Sequence, residues 1–361
     1  MKQTVYLVTG ASGHLGQNLV RRLMAQKSHV RALVLPNDPF ASHLPAGVEL
    51  CTGNVCDRDS LIPFFTVPEG TDLIVIHAAG IITISAQEDP KVRAVNVGGT
   101  RNIIELCKKF GVKKLVYVSS VHAIPELPKS HVMHEITEFD PEKVSGLYAK
   151  TKAEATALVL QAAKEGLNAS VCHPSGMLGP YDYQHGHLTE LVFEDMRGRL
   201  PACVRGGYDF VDVRDVADAI VTCCEKGRSG VCYLLSGRYV SIPALLRITH
   251  QLRGSRFIPP AVPFKLVKAF APVSEAISRA MHRKPLFTAY SMETLQANAL
   301  FTHRRAADEL GFSPRPIEAT LQDTMAFLTA TAYPEKKRKA IQKKAARRKL
   351  AARKAAQKQA Q

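Results

Sequence analysis

Residues 5–16, Val5-Tyr6-Leu7-Val8-Thr9-Gly10-Ala11-Ser12-Gly13-His14-Leu15-Gly16, constrain the fold of this chain more than any other stretch. An apolar run breaks into a glycine-rich turn and resumes as helical spacing at Leu15, Leu19, Val20 and Leu23. That order predicts a buried strand over 4–9 that feeds a helix over 14–27 through a tight loop. Gly10 permits the turn, Gly13 lets the backbone come close to a pyrophosphate, and Gly16 lets the helix pack on the sheet. The helix start then offers its unpaired N–H groups to an anion. Glycines at this spacing also occur by chance. Their place between a strand pattern and a helix pattern, near the N-terminus, is what gives the motif weight.

The alternation continues. Val30–Leu35 reads as a second strand, and its end is where adenosine is recognised: an acid there bonds the ribose hydroxyls, an Arg a 2′-phosphate. Leu35-Pro36-Asn37-Asp38 does neither cleanly. Asp38 can reach the ribose or serve as a turn residue before Pro39. Val48–Cys51 is a third strand, followed by Gly53-Asn54-Val55 and a helix with Asp57 as N-cap. Leu73–His77 is continuously apolar, as a strand covered on both faces should be, and ends in Ala78-Ala79-Gly80, small residues beside which a cofactor fits. His77 reads as a packed strand-end residue rather than a metal ligand. A long helical pattern over 88–110 carries a polar Asn96 able to brace a neighbouring loop. Lys114–Ser120 is a fifth strand ending in two hydroxyls. Tyr148 and Lys152 share one face of a helix running to about 165. Asn168–His173 is a sixth strand, and Pro174–Pro180 breaks regularity. Phe210–Ala217 opens a helix to about 226, 231–235 is a short strand, Ser241 caps a helix, Leu266 to Met281 form a helical apolar stripe, and a last helix spans 316–329. Strand–helix repetition followed by a helical second half gives an α/β chain with a small second lobe.

Composition enters through charge and cysteine. The net charge of +16 is uneven. Pro334–Gln361 holds twelve Lys/Arg against the single acid Glu335, so the basic character belongs to a tail. The tail is helix-prone but self-repelling, which predicts disorder when free. It reads as a solvated extension or as a loose contact for RNA or anionic lipid. Eight scattered cysteines without a C-x-x-C pair predict reduced thiols in the cytosol and no metal site. No apolar run reaches the ~18 residues of a membrane span. The expected location is cytoplasmic, with peripheral membrane contact as an option.

Ser120, Tyr148 and Lys152 make chemical sense together. Hydride delivered to a carbonyl leaves an alkoxide that must be protonated. A free Tyr, with a pKa of about 10, is a poor base at neutral pH. The Lys152 ammonium favours phenolate, and so does an oxidised nicotinamide. Lys152 also reaches the nicotinamide ribose, and Ser120 donates to the substrate oxygen.

With these motifs in order, the chain resembles the extended short-chain dehydrogenase/reductase superfamily over roughly residues 4–330. The carriers are Thr9-Gly10-x-x-Gly13-x-x-Gly16, Gly53-Asn54-Val55, His77-Ala78-Ala79-Gly80, Asn96-Val97-x-Gly99-Thr100, Tyr117-Val118-Ser119-Ser120, Tyr148-x-x-x-Lys152 and Tyr208-Asp209-Phe210-Val211-Asp212-Val213-Arg214-Asp215-Val216. The resemblance implies a Rossmann-type doubly wound parallel sheet, a small, mostly helical C-terminal substrate lobe and the disordered basic tail. It divides the chain into a dinucleotide-binding core at 1–180, with contributions from about 208–235, a substrate lobe at 181–330 and the tail at 334–361.

It implies NAD(P) as cofactor, with the choice between NAD and NADP left open. Gly10, Ser12, Gly13, His14, Leu15 and Gly16 are expected at the pyrophosphate. Asp38 is expected at the ribose, Asn54 and Val55 at the adenine, and Ala78, Ala79, Gly80, Asn96, Tyr148, Lys152 and Pro174 elsewhere along the cofactor. Ser120, favoured over Ser119 by register, joins Tyr148 and Lys152 in catalysis. A homodimer is what the superfamily suggests.

Sugar-nucleotide members usually carry Asn at the position of Gly176, a phosphate-gripping Arg at that of Tyr208, and Val-Tyr-Gly in the segment where this chain has Val121-His122-Ala123-Ile124. These departures, with the Arg305–Pro316 pattern, make the chain more similar to the dihydroflavonol-reductase and 3β-hydroxysteroid-dehydrogenase branch. The leading expectation is hydride transfer between nicotinamide and a carbonyl or secondary alcohol of a fairly apolar small molecule. A sugar-nucleotide epimerase or dehydratase, and a non-catalytic dinucleotide sensor with a nucleic-acid-contacting tail, are the alternatives.

Overall fold

A computed structural model describes residues 3–84, 88–200, 202–255, 259–262 and 294–332. The apolar stripe from Leu266 to Met281 and the basic tail at 334–361 lie outside the described residues. The strands are β1 (Thr4–Thr9), β2 (His29–Val34), β3 (Glu49–Thr52), β4 (Asp72–His77), β5 (Lys114–Val118), β6 (Ala169–Pro174), β7 (Gly176–Leu178), β8 (Cys203–Val204), β9 (Gly207–Asp212), β10 (Cys232–Leu235), β11 (Arg238–Ser241) and β12 (Ala261–Val262). The α-helices are α1 (His14–Ala25), α2 (Ile62–Phe65), α3 (Pro90–Arg93), α4 (Thr100–Lys109), α5 (Leu147–Lys164), α6 (His187–Met196), α7 (Val213–Lys226), α8 (Ile242–Leu252), α9 (Arg304–Leu310) and α10 (Ile317–Ala332).

Seven strands form one parallel sheet in the order β10-β6-β5-β4-β1-β2-β3. Alternate residues of each strand serve opposite cores. Val5 and Leu7 pack with Leu73, Val75 and Ile103 of α4, whereas Tyr6 and Val8 pack with Leu19 of α1 and Ile220 of α7. With both faces covered, the strands can be apolar throughout, which is the doubly wound Rossmann arrangement. The chain reverses direction across the sheet between β1 and β4. In such sheets the crevice at the carboxyl ends of those two strands takes ligands. Gly10 and Ala78–Gly80 stand there. A small lobe, in which α6, α8 and α10 pack with β7 and β9, is built beside the sheet. No described helix is long and apolar enough to cross a membrane.

Several expected boundaries move. β5 ends at Val118, and Ser120 leaves the strand to cap a short 3₁₀ turn, Val121–Ala123. The helix expected over 88–110 is α3 and α4 joined by a π-helical turn, Ala94–Gly99, which carries Asn96. Residues 176–178, expected to be irregular, form β7. The helix start expected at Phe210 is corrected: Gly207–Asp212 is a strand, held between β7 and β11, whose hydrogen bonds override the local helical spacing. Asp212 then caps α7 by accepting from the Arg214 N–H at 2.8 Å. The helix expected to open with Asp57 as N-cap is corrected: a 3₁₀ turn, Asp59–Leu61, starts there with Arg58 at the N-cap position, and Asp57 Oδ1 accepts from Asp59 N–H at 3.2 Å just ahead of it. Ser241 caps α8 by accepting from the Ala244 N–H.

The C-terminal segment is pinned to the Rossmann core through α7. Asp215 accepts from the Arg315 backbone N–H at 2.7 Å and from its Nε at 2.9 Å. Asp215 is buried and Arg315 is partly exposed. Asp215→Asn removes the nearer of the two carboxylates at the partly buried Arg315 guanidinium, the other being Asp212 at 3.6 Å, and should lower unfolding free energy by about 2 kcal/mol, read as a lower urea midpoint with an unchanged slope.

Candidate active site

The first turn after β1 is as tight as its glycines demand. Gly10 has φ +66°, and a Cβ on it would lie 2.7 Å from Ala79 N, so β1 and β4 approach each other through it. A Cβ on Gly16 would lie 2.0 Å from Gly10 O and 2.6 Å from Ala11 Cα. Gly13 caps α1 with no side chain over the helix start, leaving the N–H groups open toward the crevice. His14 Nε2 is buried at this start with no hydrogen-bond partner. Open amides and an unpaired ring nitrogen at a glycine turn suit the pyrophosphate of a dinucleotide. Ser12 O accepts a long bond, 3.4 Å, from Gln184 Nε2.

At the adenosine end the side chains are occupied locally. Asp38 Oδ1 accepts from Phe40 N–H at 2.9 Å, the turn function. Asn54 Oδ1 accepts from Cys56 N–H at 3.0 Å. Val55 packs against Gly99, where a Cβ would come within 2.7 Å of Val55 Cγ2.

Behind the crevice runs a directed chain of hydrogen bonds. Ala79 N–H donates to Thr9 Oγ1 at 3.1 Å, and Thr9 Oγ1 lies 2.7 Å from His77 Nδ1. His77 Nε2 lies 3.1 Å from Thr100 Oγ1, whose hydroxyl donates to Asn96 O at 2.7 Å. The Thr100 hydrogen is thereby spent, so His77 must donate from Nε2 and accept at Nδ1. His77 is therefore a packed, neutral strand-end residue. Among the described residues no group of three or more His, Cys, Asp or Glu is placed to hold a metal ion.

Asn96 continues the framework. Its Oδ1 accepts from Ile81 N–H at 2.8 Å, and its Nδ2 donates to Ile81 O and to Thr151 Oγ1, both at 3.1 Å. Thr151 Oγ1 donates to Tyr148 O at 3.0 Å. Asn96 thus braces the loop after β4 against α5, as its place in the helical pattern suggested, with its amide hydrogens spent on protein and its side chain buried. The π turn is what points this side chain across to both loop and helix, as such turns do at functional sites.

Lys152, one helical turn beyond Tyr148 on α5, is buried and donates from Nζ to Val118 O at 2.7 Å. A Cβ on Gly80 would sit 3.4 Å from that Nζ, so the end of β4 passes directly over it. Burial pushes the Lys152 pKa down to about 7. Ser119 is turned away, its hydroxyl 2.7 Å from Thr156 Oγ1 of α5. Ser120 Oγ accepts from His122 N–H at 3.2 Å, and its carbonyl lies 2.9 Å from His173 Nδ1, on β6 just before Pro174.

Sequence reasoning singled out His122, Gly176 and Tyr208 one by one but did not foresee that they meet. The His122 ring stacks on Tyr208 with centroids 5.5 Å apart, and its Nε2 lies 2.8 Å from Tyr208 Oη. The same ring lies near-perpendicular to the Tyr148 ring, at 72° with centroids 6.0 Å apart. A Cβ on Gly176 would come within 2.7 Å of Tyr208 Cδ1. The available signal was that all three depart from one subfamily pattern together.

Three buried imidazoles set an acid limit on the fold. Burial lowers the pKa of His77 to about 3, with Lys152 adding to the effect, and burial lowers His122 and His173 to about 4. Unfolded histidines bind protons from about pH 6.5 downward. Between those values the unfolded state holds more protons, so stability is full above pH 6.5 and falls as pH drops. Asp209 acts oppositely: burial raises it to about 6, so its contribution is lost as pH rises from about 4 to 6. Three groups outweigh one. The melting temperature at pH 4.5 should lie several degrees below that at pH 7 at equal ionic strength.

Comparison with known proteins follows the same lines. A family model described as the NAD dependent epimerase/dehydratase family matches residues 6–235. Sterol demethylase protein B of Methylococcus capsulatus is 30% identical over 325 residues, 89% of this chain and 97% of the relative. A Synechocystis protein provisionally named dihydroflavonol 4-reductase is 27% identical over 332 residues, 91% of this chain and 95% of the relative. The solved UDP-glucose 4-epimerase of Thermotoga maritima superposes with a TM-score of 0.73 at 20% identity, covering 92% of this chain and 100% of the other. That last likeness is one of fold.

Proposed function

The chain belongs to the NAD dependent epimerase/dehydratase family, of the extended short-chain dehydrogenase/reductase type, and from that premise we propose that it moves a hydride between NAD(P) and a carbonyl or secondary alcohol on a fairly apolar small molecule. The observation that carries the reading is the gathering of Ser120, Tyr148 and Lys152 around the carboxyl end of β5. His122 links Ser120 to Tyr148, its N–H donating to Ser120 Oγ and its ring lying near-perpendicular to the Tyr148 ring, while Lys152 Nζ donates to Val118 O at the end of β5. The relatives named for sterol demethylation and for dihydroflavonol reduction support an apolar substrate.

Nicotinamide, when bound, supplies or accepts the hydride. The residues of this chain do the rest. Gly10, Gly13 and the open N–H groups of α1 hold the pyrophosphate, and Asn54 and Val55 flank the adenine. Ser120 accepts from its own backbone turn, which leaves its hydroxyl hydrogen to donate to the substrate oxygen. Tyr148 gives that oxygen a proton in reduction and takes one in oxidation. Lys152 favours the phenolate by its charge.

Fluorescence titration with NADH and NADPH, followed by turnover assays with a 3β-hydroxysteroid, a dihydroflavonol and UDP-glucose, tests this reading. Dinucleotide-linked turnover of an apolar alcohol or ketone is expected. Tight binding and turnover of UDP-glucose instead would favour an epimerase, and dinucleotide binding without any turnover would favour a sensor.

A further inference from the structure

We propose that Gly176, Tyr208 and His122 act as one specificity-determining unit, an uncharged aromatic wall beside Tyr148 that selects a flat apolar ring system and turns away a nucleoside diphosphate. The inference rests on the reductase reading above and names the part of the site that decides its substrate class.

The unit is coupled through contact. Tyr208 lies on β9 and Gly176 on the neighbouring β7, where Gly176 pairs with Phe210. A side chain at 176 would meet Tyr208 Cδ1 at 2.7 Å, Cε1 at 2.9 Å and Asp209 O at 3.0 Å. The ring has nowhere to retreat. It is buried, edge-on to Phe210 at 6.1 Å, stacked on His122 and hydrogen-bonded to it. Tyr208 therefore requires glycine at 176, and Asn at 176 would require another residue at 208. The two departures from the sugar-nucleotide pattern are one change.

The wall reaches the chemistry. From Tyr208 it passes to His122 and from His122 to Tyr148, three rings in series. Burial keeps His122 neutral near pH 7. Aromatic rings present apolar area with a partly negative face, which suits a fused-ring hydrocarbon and repels phosphate. Where a phosphate-binding Arg stands in sugar-nucleotide members, this chain places a phenol whose oxygen is already bonded to a ring nitrogen. Arg205, the nearest basic residue in the sequence, is exposed.

Three variants test the wall: Tyr208→Phe, Tyr208→Leu, and Gly176→Asn. Each is assayed as dinucleotide-saturated enzyme with a 3β-hydroxysteroid and a dihydroflavonol as apolar probes, and by calorimetry with UDP-glucose. Tyr208→Phe keeps the ring and should change KM less than threefold. Tyr208→Leu and Gly176→Asn should each raise KM for the accepted apolar probe at least tenfold, change kcat far less, and leave the NADH dissociation constant within twofold. If Gly176→Asn does not fold, Tyr208→Leu carries the test, because it removes the ring without adding bulk. Unchanged KM in Tyr208→Leu overturns the inference while wild-type turnover keeps the reductase reading. Wild type inactive toward both apolar probes overturns the reading and the inference together.

Discussion

Tyr148→Phe is expected to cut turnover by about 10²–10⁴-fold, the usual worth of a positioned proton donor, with NADH affinity changed less than threefold. The substitution removes one hydroxyl and keeps the ring that lies near-perpendicular to His122. The brace from Asn96 through Thr151 ends on the Tyr148 carbonyl, not on the phenol, so α5 keeps its seat. What disappears is the only group proposed to exchange a proton with the substrate oxygen. Single-turnover rates with saturating NADH or NAD separate this loss from binding. A variant running at near wild-type speed would remove Tyr148 from the mechanism and leave Lys152 with no phenol to assist.

Gly16→Ala should do comparable damage by another route. The added methyl would lie 2.0 Å from Gly10 O and 2.6–2.7 Å from Ala11 Cα and carbonyl carbon. All are backbone atoms of the turn that joins β1 to α1, so no side chain can rotate aside. Either α1 lifts from the sheet or the turn opens, and each displaces the helix start from the pyrophosphate. Overpacking of this kind costs about 1–3 kcal/mol, more where nothing yields. NADH affinity should fall at least tenfold, with a lowered melting temperature. Gly98→Ala is the control. It sits in the π turn with nothing within 4 Å of its Cβ position, and Ala is the better helix former. It should bind NADH normally. Equal behaviour of the two variants would show that the close approach at Gly16 is immaterial.

The sheet was legible because its strands are short apolar runs cut by glycine and small polar residues, and β1 to β6 stand within a residue or two of where the periodicity puts them. β7 and β9 were not. Pro174, Gly176, Gly179 and Pro180 look like loop, and Asp212 followed by Val213, Val216 and Ala217 looks like a helix already begun. What makes strands of 176–178 and 207–212 is their pairing with each other, and of 207–212 with β11, partners about 30 residues away that no local window contains. The site divides the same way. Tyr148 and Lys152 announce themselves at one helical turn. Asn96 announces a brace but not its ends, since Ile81 and Thr151 are 15 and 55 residues distant. Asp38 offered two readings at the end of β2, and the bond from Phe40 N–H engages it in the turn.

The line from Ala79 through Thr9, His77 and Thr100 to the Asn96 carbonyl passes each hydrogen the same way. Such a line has a grain: no member can be reversed without turning all the others. The end of β4 and the helix that carries Tyr148 are therefore hung from one frame, so in the proposed reaction the angle of hydride approach and the angle of proton approach would be set by a single construction.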